Sequence, residues 1–284
     1  MVQKSKIEWT TMTWNPVRGC SRVSKGCDNC YAERMASRFS GPGLYAHGFA
    51  KRVHGRSHWT GRVELIPHKL FEPISHRQPR KIFVNSMSDL FHENLPDSDI
   101  DRVFSVIARR PQHTFQILTK RPEHMRSYSQ RLATLRPGDV AYDAVFGTAI
   151  AELGGKHSWP LPNVWLGVSV EDEDAAATRI PLLRQTPAAV RWISYEPALG
   201  PVDWERWLVG IDWVVCGGES GPGARPMQPD WARTARDACM QAGVPFFFKQ
   251  WGDWAPDGNG GMKRVGKLLA GRMLNGRTHD EFPK

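Results

Sequence analysis

Of the 284 residues only five are cysteine and five tyrosine, and nowhere do eighteen apolar residues run together. The missing apolar run excludes a membrane-spanning helix. Three of the five cysteines, Cys20, Cys27 and Cys30, lie within eleven residues, an odd cluster, and the opening MVQKSKIEW lacks the composition of a secretory leader. Both features argue against a secreted disulfide framework, so a soluble protein of the cytoplasm is expected. Several catalytic signatures are absent too. There is no nucleophile elbow, no phosphate-binding P-loop and no HExxH, and the glycines of CGGESGPGARP (216–226) lack the spacing of a dinucleotide fingerprint. No internal repeat or low-complexity tract is present.

Positive charge is present in excess. Lys plus Arg exceed Asp plus Glu by 38 to 29, a net +9 and a pI near 9.5, which suits an anionic partner such as DNA or RNA. Hydrophobic residues at 40% suffice for a core, and barrels of alternating strand and helix reach this length as one domain.

The crowded thiols sit in WNPVRGCSRVSKGCDNCYA (14–32), a loop rich in Gly, Ser and Asn. Cys-x6-Cys-x2-Cys offers three thiolates from one loop, whereas structural zinc needs four ligands. A 4Fe-4S cluster held by three cysteines leaves one iron open. Zinc stays open as a reading if His47, His54 or His58 supplies the fourth ligand, and so does a loop without metal. Helical spacing in YAERMASRF (31–39) places a helix directly after Cys30, and the partial positive charge of its N-terminus favours thiolates.

Along the chain, residues 1–13 read as an irregular arm leading to a strand near Trp14, 62–66 as a strand and 67–76 as a helix. Six apolar runs follow at 81–86, 114–119, 164–169, 190–195, 212–217 and 245–250, several of them apolar at consecutive positions like strands buried on both faces. Helix signals fall between most of them: Pro96 and Asp97, Pro122, Asp172, and Asp230 before Gly243. Alternating strand and helix predict an α/β fold with a parallel sheet, a full or partial (β/α) barrel, with an open doubly wound sheet as the alternative. Residues 1–251 form the expected barrel, interrupted by a basic loop at about 40–62 and an insertion at about 136–162. Residues 252–284 form a C-terminal extension packed on it. Cys216 and Cys239, in a strand and a helix, read as buried core thiols.

Polar groups recur where the apolar runs end: Ser86, Ser88 and Asp89, Lys120 and Arg121, Glu171, Glu196, Glu219, then Lys249 and Gln250. The carboxyl ends of barrel strands carry the chemistry in such folds, so Asp89, Lys120, Glu171, Glu196 and Lys249 are the candidate catalytic residues. In the 40–62 loop, Lys51, Arg52 and Arg56 are candidates to grip a phosphate backbone and Trp59 to stack on a base.

The segments WNPVRGCSRVSKGCDNCYAERMA, VNSMSDLFHE, FQILTKRPE, VWLGVSVED, WISYEPALGP, VVCGGESGPGARPM and PFFFKQWG together resemble a phage-associated three-Cys-motif family of unknown function, itself similar to a branch of the radical SAM superfamily. The resemblance implies a 4Fe-4S cluster on Cys20, Cys27 and Cys30 in a radical SAM-type barrel. It also implies S-adenosylmethionine on the open iron, with Ser86, Ser88 and Glu219 as cofactor contacts. An electron donor, a phage-encoded partner protein and the host cytoplasm would follow. The expected activity is reductive cleavage of S-adenosylmethionine to modify or repair a substrate such as nucleic acid. The alternative is a non-catalytic, metal-stabilised protein that binds nucleic acid or a partner.

Overall fold

The computed structural model describes residues 5–284, so residues 1–4 of the expected arm lie outside the described residues. Seven strands make one sheet: β1 (Met12–Trp14), β2 (Lys81–Val84), β3 (Thr114–Thr119), β4 (Val164–Val170), β5 (Val190–Tyr195), β6 (Trp213–Gly217) and β7 (Phe246–Gln250). Their spatial order is their chain order. The registered pairs β1 with β2, β2 with β3, β5 with β6 and β6 with β7 are all parallel. A doubly wound sheet reverses its strand order at a switch point. No reversal occurs here, which sets aside the doubly wound alternative and is compatible with a partial β/α barrel.

The chain divides into two compact units. The first comprises Met1–Arg22, Ala32–Leu166 and Gln185–Ala189; the second comprises Val23–Tyr31, Gly167–Arg184 and Val190–Lys284.

In the first unit, α1 (Tyr31–Arg38, entering at Ala32), α2 (Asp97–Ala108) and α3 (Pro122–Thr134) accompany β1, β2, β3 and the start of β4. Pro96 caps α2 in extended conformation and Asp97 and Asp99 occupy its first turn, favourable at the positive end of a helix. Ile100, Val103, Phe104 and Ile107, at helical spacing, are all buried. The 136–162 insertion is largely helical: Val140–Tyr142, a π-helical turn Asp143–Gly147 and Thr148–Leu153 lay buried Tyr142, Val145, Phe146 and Ala149 beside α2.

Two expectations are corrected here. Residues 67–76 form two short 3-10 turns, Pro67–Lys69 and Glu72–Ser75, instead of a helix. Pro73 inside the segment has no N–H to donate, so one continuous helical ladder is unavailable. The basic segment expected as a loop at about 40–62 carries an antiparallel hairpin, Ala50–Val53 with Arg56–Trp59.

In the second unit, α4 (Glu173–Arg184) and α5 (Pro229–Ala242) accompany the rest of β4 and β5 to β7. Val164–Val170 is buried at every position, as a strand covered on both faces must be. The tail forms a hairpin, Trp254–Pro256 with Met262–Arg264, and a turn of helix, Lys267–Ala270. It ends with Phe282 stacked 5.2 Å from Trp213, whose Nε1 donates to Glu281 O at 2.8 Å. Among the described residues no helix is long and apolar enough to cross a membrane.

Candidate functional site

In the first unit the polar groups that follow β2 and β3 gather around Arg121. Asp89, 6% exposed, accepts from Thr119 Oγ1 at 2.7 Å, Phe91 N at 3.0 Å, Lys120 N at 3.2 Å and Arg121 Nη1 at 3.1 Å. Four donors saturate this carboxylate. Arg121 also donates through Nε to Glu93 Oε2 at 2.5 Å and through Nη2 to Ser21 Oγ at 2.6 Å. His92 Nδ1 accepts from Asn94 N at 3.1 Å, so its neutral ring carries the proton on Nε2 and donates it to Ser21 Oγ at 2.9 Å. The Ser21 hydroxyl, accepting twice, donates its own hydrogen bond to Glu93 Oε1 at 3.2 Å. Every group in this chain has a role that fits its chemistry.

The charges follow the geometry. Burial pulls the Arg121 guanidinium down, but Asp89, Cys20 and Glu93 together outweigh it and hold it above its ordinary value. Burial pushes Glu93 up; its hydrogen bonds, including that from Arg121, reverse this and bring its carboxyl down to about 2. Burial lowers His92, and the Arg121 charge lowers it further. Ser88 Oγ donates to Val17 O at 2.9 Å and Ser86 Oγ to Asn15 Oδ1 at 3.2 Å, so both of these expected cofactor contacts tie β2's end to the chain after β1.

In the second unit three carboxylates stand at strand ends, each with a basic partner. Glu171, 1% exposed, accepts from Arg179 Nη1 at 2.9 Å and Ser24 Oγ at 2.9 Å. Glu219, 7% exposed, accepts from Arg225 N, Nε and Nη2 at 2.9, 3.0 and 2.7 Å and from Asn29 Nδ2 at 2.9 Å. Burial raises Glu219, but the Arg225 and Asn29 hydrogen bonds win and hold it below the usual carboxylate range. Glu196 Oε1 accepts from Lys249 Nζ at 2.6 Å. The β6–β7 register explains that pair. Cys216 faces Phe248 and Gly217 faces Gln250, so Lys249 is the extra residue of a β-bulge, a device that re-aims a side chain. Gly217 leaves the space, since a Cβ there would lie 3.2 Å from Glu196 Cδ.

The iron–sulfur, 4Fe-4S and metal-binding expectation is corrected: among the described residues no group of three or more His, Cys, Asp or Glu is placed to hold a metal ion. The surroundings of the thiols give the reason. Cys20 Sγ donates to Ser21 O at 3.4 Å and has the Arg121 guanidinium, a cation, 3.8 Å away. Cys27, in the 3-10 turn Lys25–Cys27, accepts from Val23 N at 3.5 Å, and Cys30 N donates to Cys27 O at 3.2 Å. These contacts shape the chain locally and do not fit a metal-bound cluster. Cys216 and Cys239 are buried, as expected.

The basic hairpin belongs wholly to the first unit. His54 and Gly55 take φ of +48° and +77°, the paired positive values of a two-residue turn that suits right-twisted strands. Lys51 pairs with His58, Arg52 with Ser57 and Val53 with Arg56. Lys51, Arg52 and Arg56 are exposed and, among the described residues, have no carboxylate partner. Between Glu33 and Glu64 the sequence holds Arg34, Arg38, Lys51, Arg52, Arg56 and Arg62 and no acidic residue. Glu33 itself is consumed: 1% exposed, it accepts from Arg22 Nε at 3.1 Å and Nη2 at 2.6 Å and from Trp59 N at 2.8 Å. Trp59, the expected stacking residue, is half-buried and packs against Ala36, Ala46 and Ala50, where it roots the hairpin.

Sequence reasoning missed the partners. Arg179 and Arg225, eight and six residues beyond the carboxylates they meet, carried only the signal of a basic residue shortly after an acidic strand end. A family described as "Protein of unknown function (DUF5131)" matches residues 4–283. No curated protein and no solved structure matches the chain.

Proposed function

The chain belongs to the DUF5131 family, and from its own residues we propose that it binds nucleic acid by the phosphate backbone, through the hairpin 50–59. The observation that carries this reading is the exposure of Lys51, Arg52 and Arg56, without carboxylate partners among the described residues, on a two-stranded antiparallel ribbon inside an acid-free stretch. Cations that fold into an ordinary solvated surface are usually interspersed with acids. Here thirty residues, 34–63, contain none. The net charge of +9 adds a long-range attraction. The resemblance to phage-associated proteins supports the same class of partner.

The buried strand-end carboxylates are already engaged. Asp89 and Glu219 each accept four hydrogen bonds, so they brace their loops. The reading therefore rests on the hairpin alone and assigns a binding activity.

Fluorescence anisotropy with a labelled oligonucleotide across a salt series tests it. Neutralising about three to five phosphates gives a log–log slope of roughly that number, and alanine at Lys51, Arg52 and Arg56 together should lower it by about three. Affinity that is undetectable at low salt, or a slope untouched by the triple substitution, would remove this function.

A further inference from the structure

Tyr45 lies in the same acid-free stretch, five residues before the hairpin, and the residue is 46% exposed. A large aromatic in that position is held, not loose. Its ring centroid is 5.3 Å from that of Phe39 and 5.3 Å from the Arg18 guanidinium, which also stands 5.5 Å from the Phe49 ring. The residue after it, Ala46, is buried with Ala36 and Ala50 in the cluster against which Trp59 packs. Ala50 opens the hairpin's first strand, so the cluster that roots the ribbon also fixes the base of Tyr45. No hydrogen bond engages its phenol among the described residues. The chain thus presents a packed, exposed aromatic ring in the same acid-free stretch as the three exposed cations.

We propose that this surface takes single-stranded nucleic acid, with a base stacked on Tyr45 while Lys51, Arg52 and Arg56 follow the phosphates. The inference rests on the nucleic-acid reading above and adds the strand state. A base in a duplex already has stacking partners on both faces, whereas a single strand offers free ones, and ring-on-base stacking is indifferent to sequence. The Arg18 guanidinium, 5.3 Å from the ring centroid, adds a cation–π contact to the site. Trp59, the expected stacking residue of the loop, is half-buried against the alanine cluster, and Tyr45 is the more exposed aromatic of the two.

The experiment uses the full chain, a fluorescein-labelled fifteen-nucleotide oligothymidylate and a labelled fifteen-base-pair duplex. Wild type should bind the single strand more tightly. Tyr45→Ala should weaken single-strand binding by roughly five- to 150-fold, change duplex affinity less than about twofold and leave the salt slope untouched, because no charge is lost. Tyr45→Phe should keep wild-type affinity. Circular dichroism of Tyr45→Ala should show the wild-type fold. Equal weakening of both ligands, or no weakening of either, overturns the stacking role while the hairpin reading stands if the triple substitution still lowers the slope. Binding of neither ligand by wild type overturns both.

Discussion

Glu33 Oε1 accepts the backbone N–H of Trp59 at 2.8 Å while the same carboxylate takes a two-pronged contact from Arg22. One buried acid therefore fastens the hairpin's last residue to the first turn of α1. Glu33→Ala leaves the Trp59 amide without its acceptor and Arg22 without its anion. A loss of about 1–3 kcal/mol is expected, with urea midpoints as the measure. Amide exchange is the sharper readout: protection of Trp59 N–H should fall more than that of amides in β3, and equal protection in the variant would refute the fastening.

Asp89 and Arg121 offer a test of mutual dependence. Arg121→Met strands a carboxylate that is 6% exposed, and removing one partner of a buried ion pair costs about 3–5 kcal/mol. Asp89→Asn in the Arg121→Met background should cost much less than it does alone. Denaturant unfolding of the four proteins of the double-mutant cycle measures this, and strict additivity would show that the two residues do not act as a pair.

The strands were legible because a parallel strand covered on both faces must be apolar at nearly every position. VWLGVS could be read as a strand without knowing any neighbour. The hairpin was not legible. AKRV and RSHW carry polar side chains on both faces, and what commits them to pair is the His54–Gly55 turn and an acid contributed by α1. The carboxylates at the strand ends could be placed from sequence, since each directly follows an apolar run. Their saturation could not, because Arg121, Arg179 and Arg225 reach them from a helix start, a helix and a glycine-rich turn. For the same reason crowding of Cys20, Cys27 and Cys30 in sequence did not translate into a shared centre.

His92 sets a pH dependence. Burial and the Arg121 charge both lower its folded-state pKa, and Nδ1, which accepts from Asn94 N, cannot take up the ring's second proton without losing that bond. As pH falls, the unfolded chain protonates first, near 6.5. Stability is therefore full above about pH 7 and falls below 6.5 until the folded imidazole also titrates. Urea unfolding at pH 7.5, 6.5 and 5.5 should show this loss, and His92→Gln should reduce it. Burial also lowers His113 and His279, so the variant flattens the profile only in part. Identical pH profiles for variant and wild type would assign the dependence elsewhere.

Space at Gly218 is a requirement of the strand-end geometry. A Cβ built there would lie 2.0 Å from Trp251 O, a backbone atom that cannot swing aside. Gly55, by contrast, has nothing within 4 Å of the same position, and only its φ of +77° opposes a side chain. Gly218→Ala should therefore cost more than Gly55→Ala, about 2–4 kcal/mol against about 1 kcal/mol. Thermal unfolding of the two variants decides it, and equal costs would mean that the Gly218 turn shifts freely.

The thiols should separate by environment. Cys216 is buried in β6 and Cys239 in α5, and burial pushes both thiols up, with Glu196 adding to the effect at Cys216 and Glu281 at Cys239. Alkylation proceeds through the thiolate and needs access, so neither should react with iodoacetamide while the chain is folded. Cys20, Cys27 and Cys30 are each partly exposed, and a cation, the Arg121 guanidinium, stands 3.8 Å from Cys20 Sγ. Cys20 should accordingly be modified under native conditions, and Arg121→Met should slow it several-fold, whereas Cys216 and Cys239 should react only in denaturant. Peptide mass spectrometry over a time course reads each site separately. Native modification of Cys216 or Cys239, or a Cys20 rate indifferent to Arg121, would contradict the environments described.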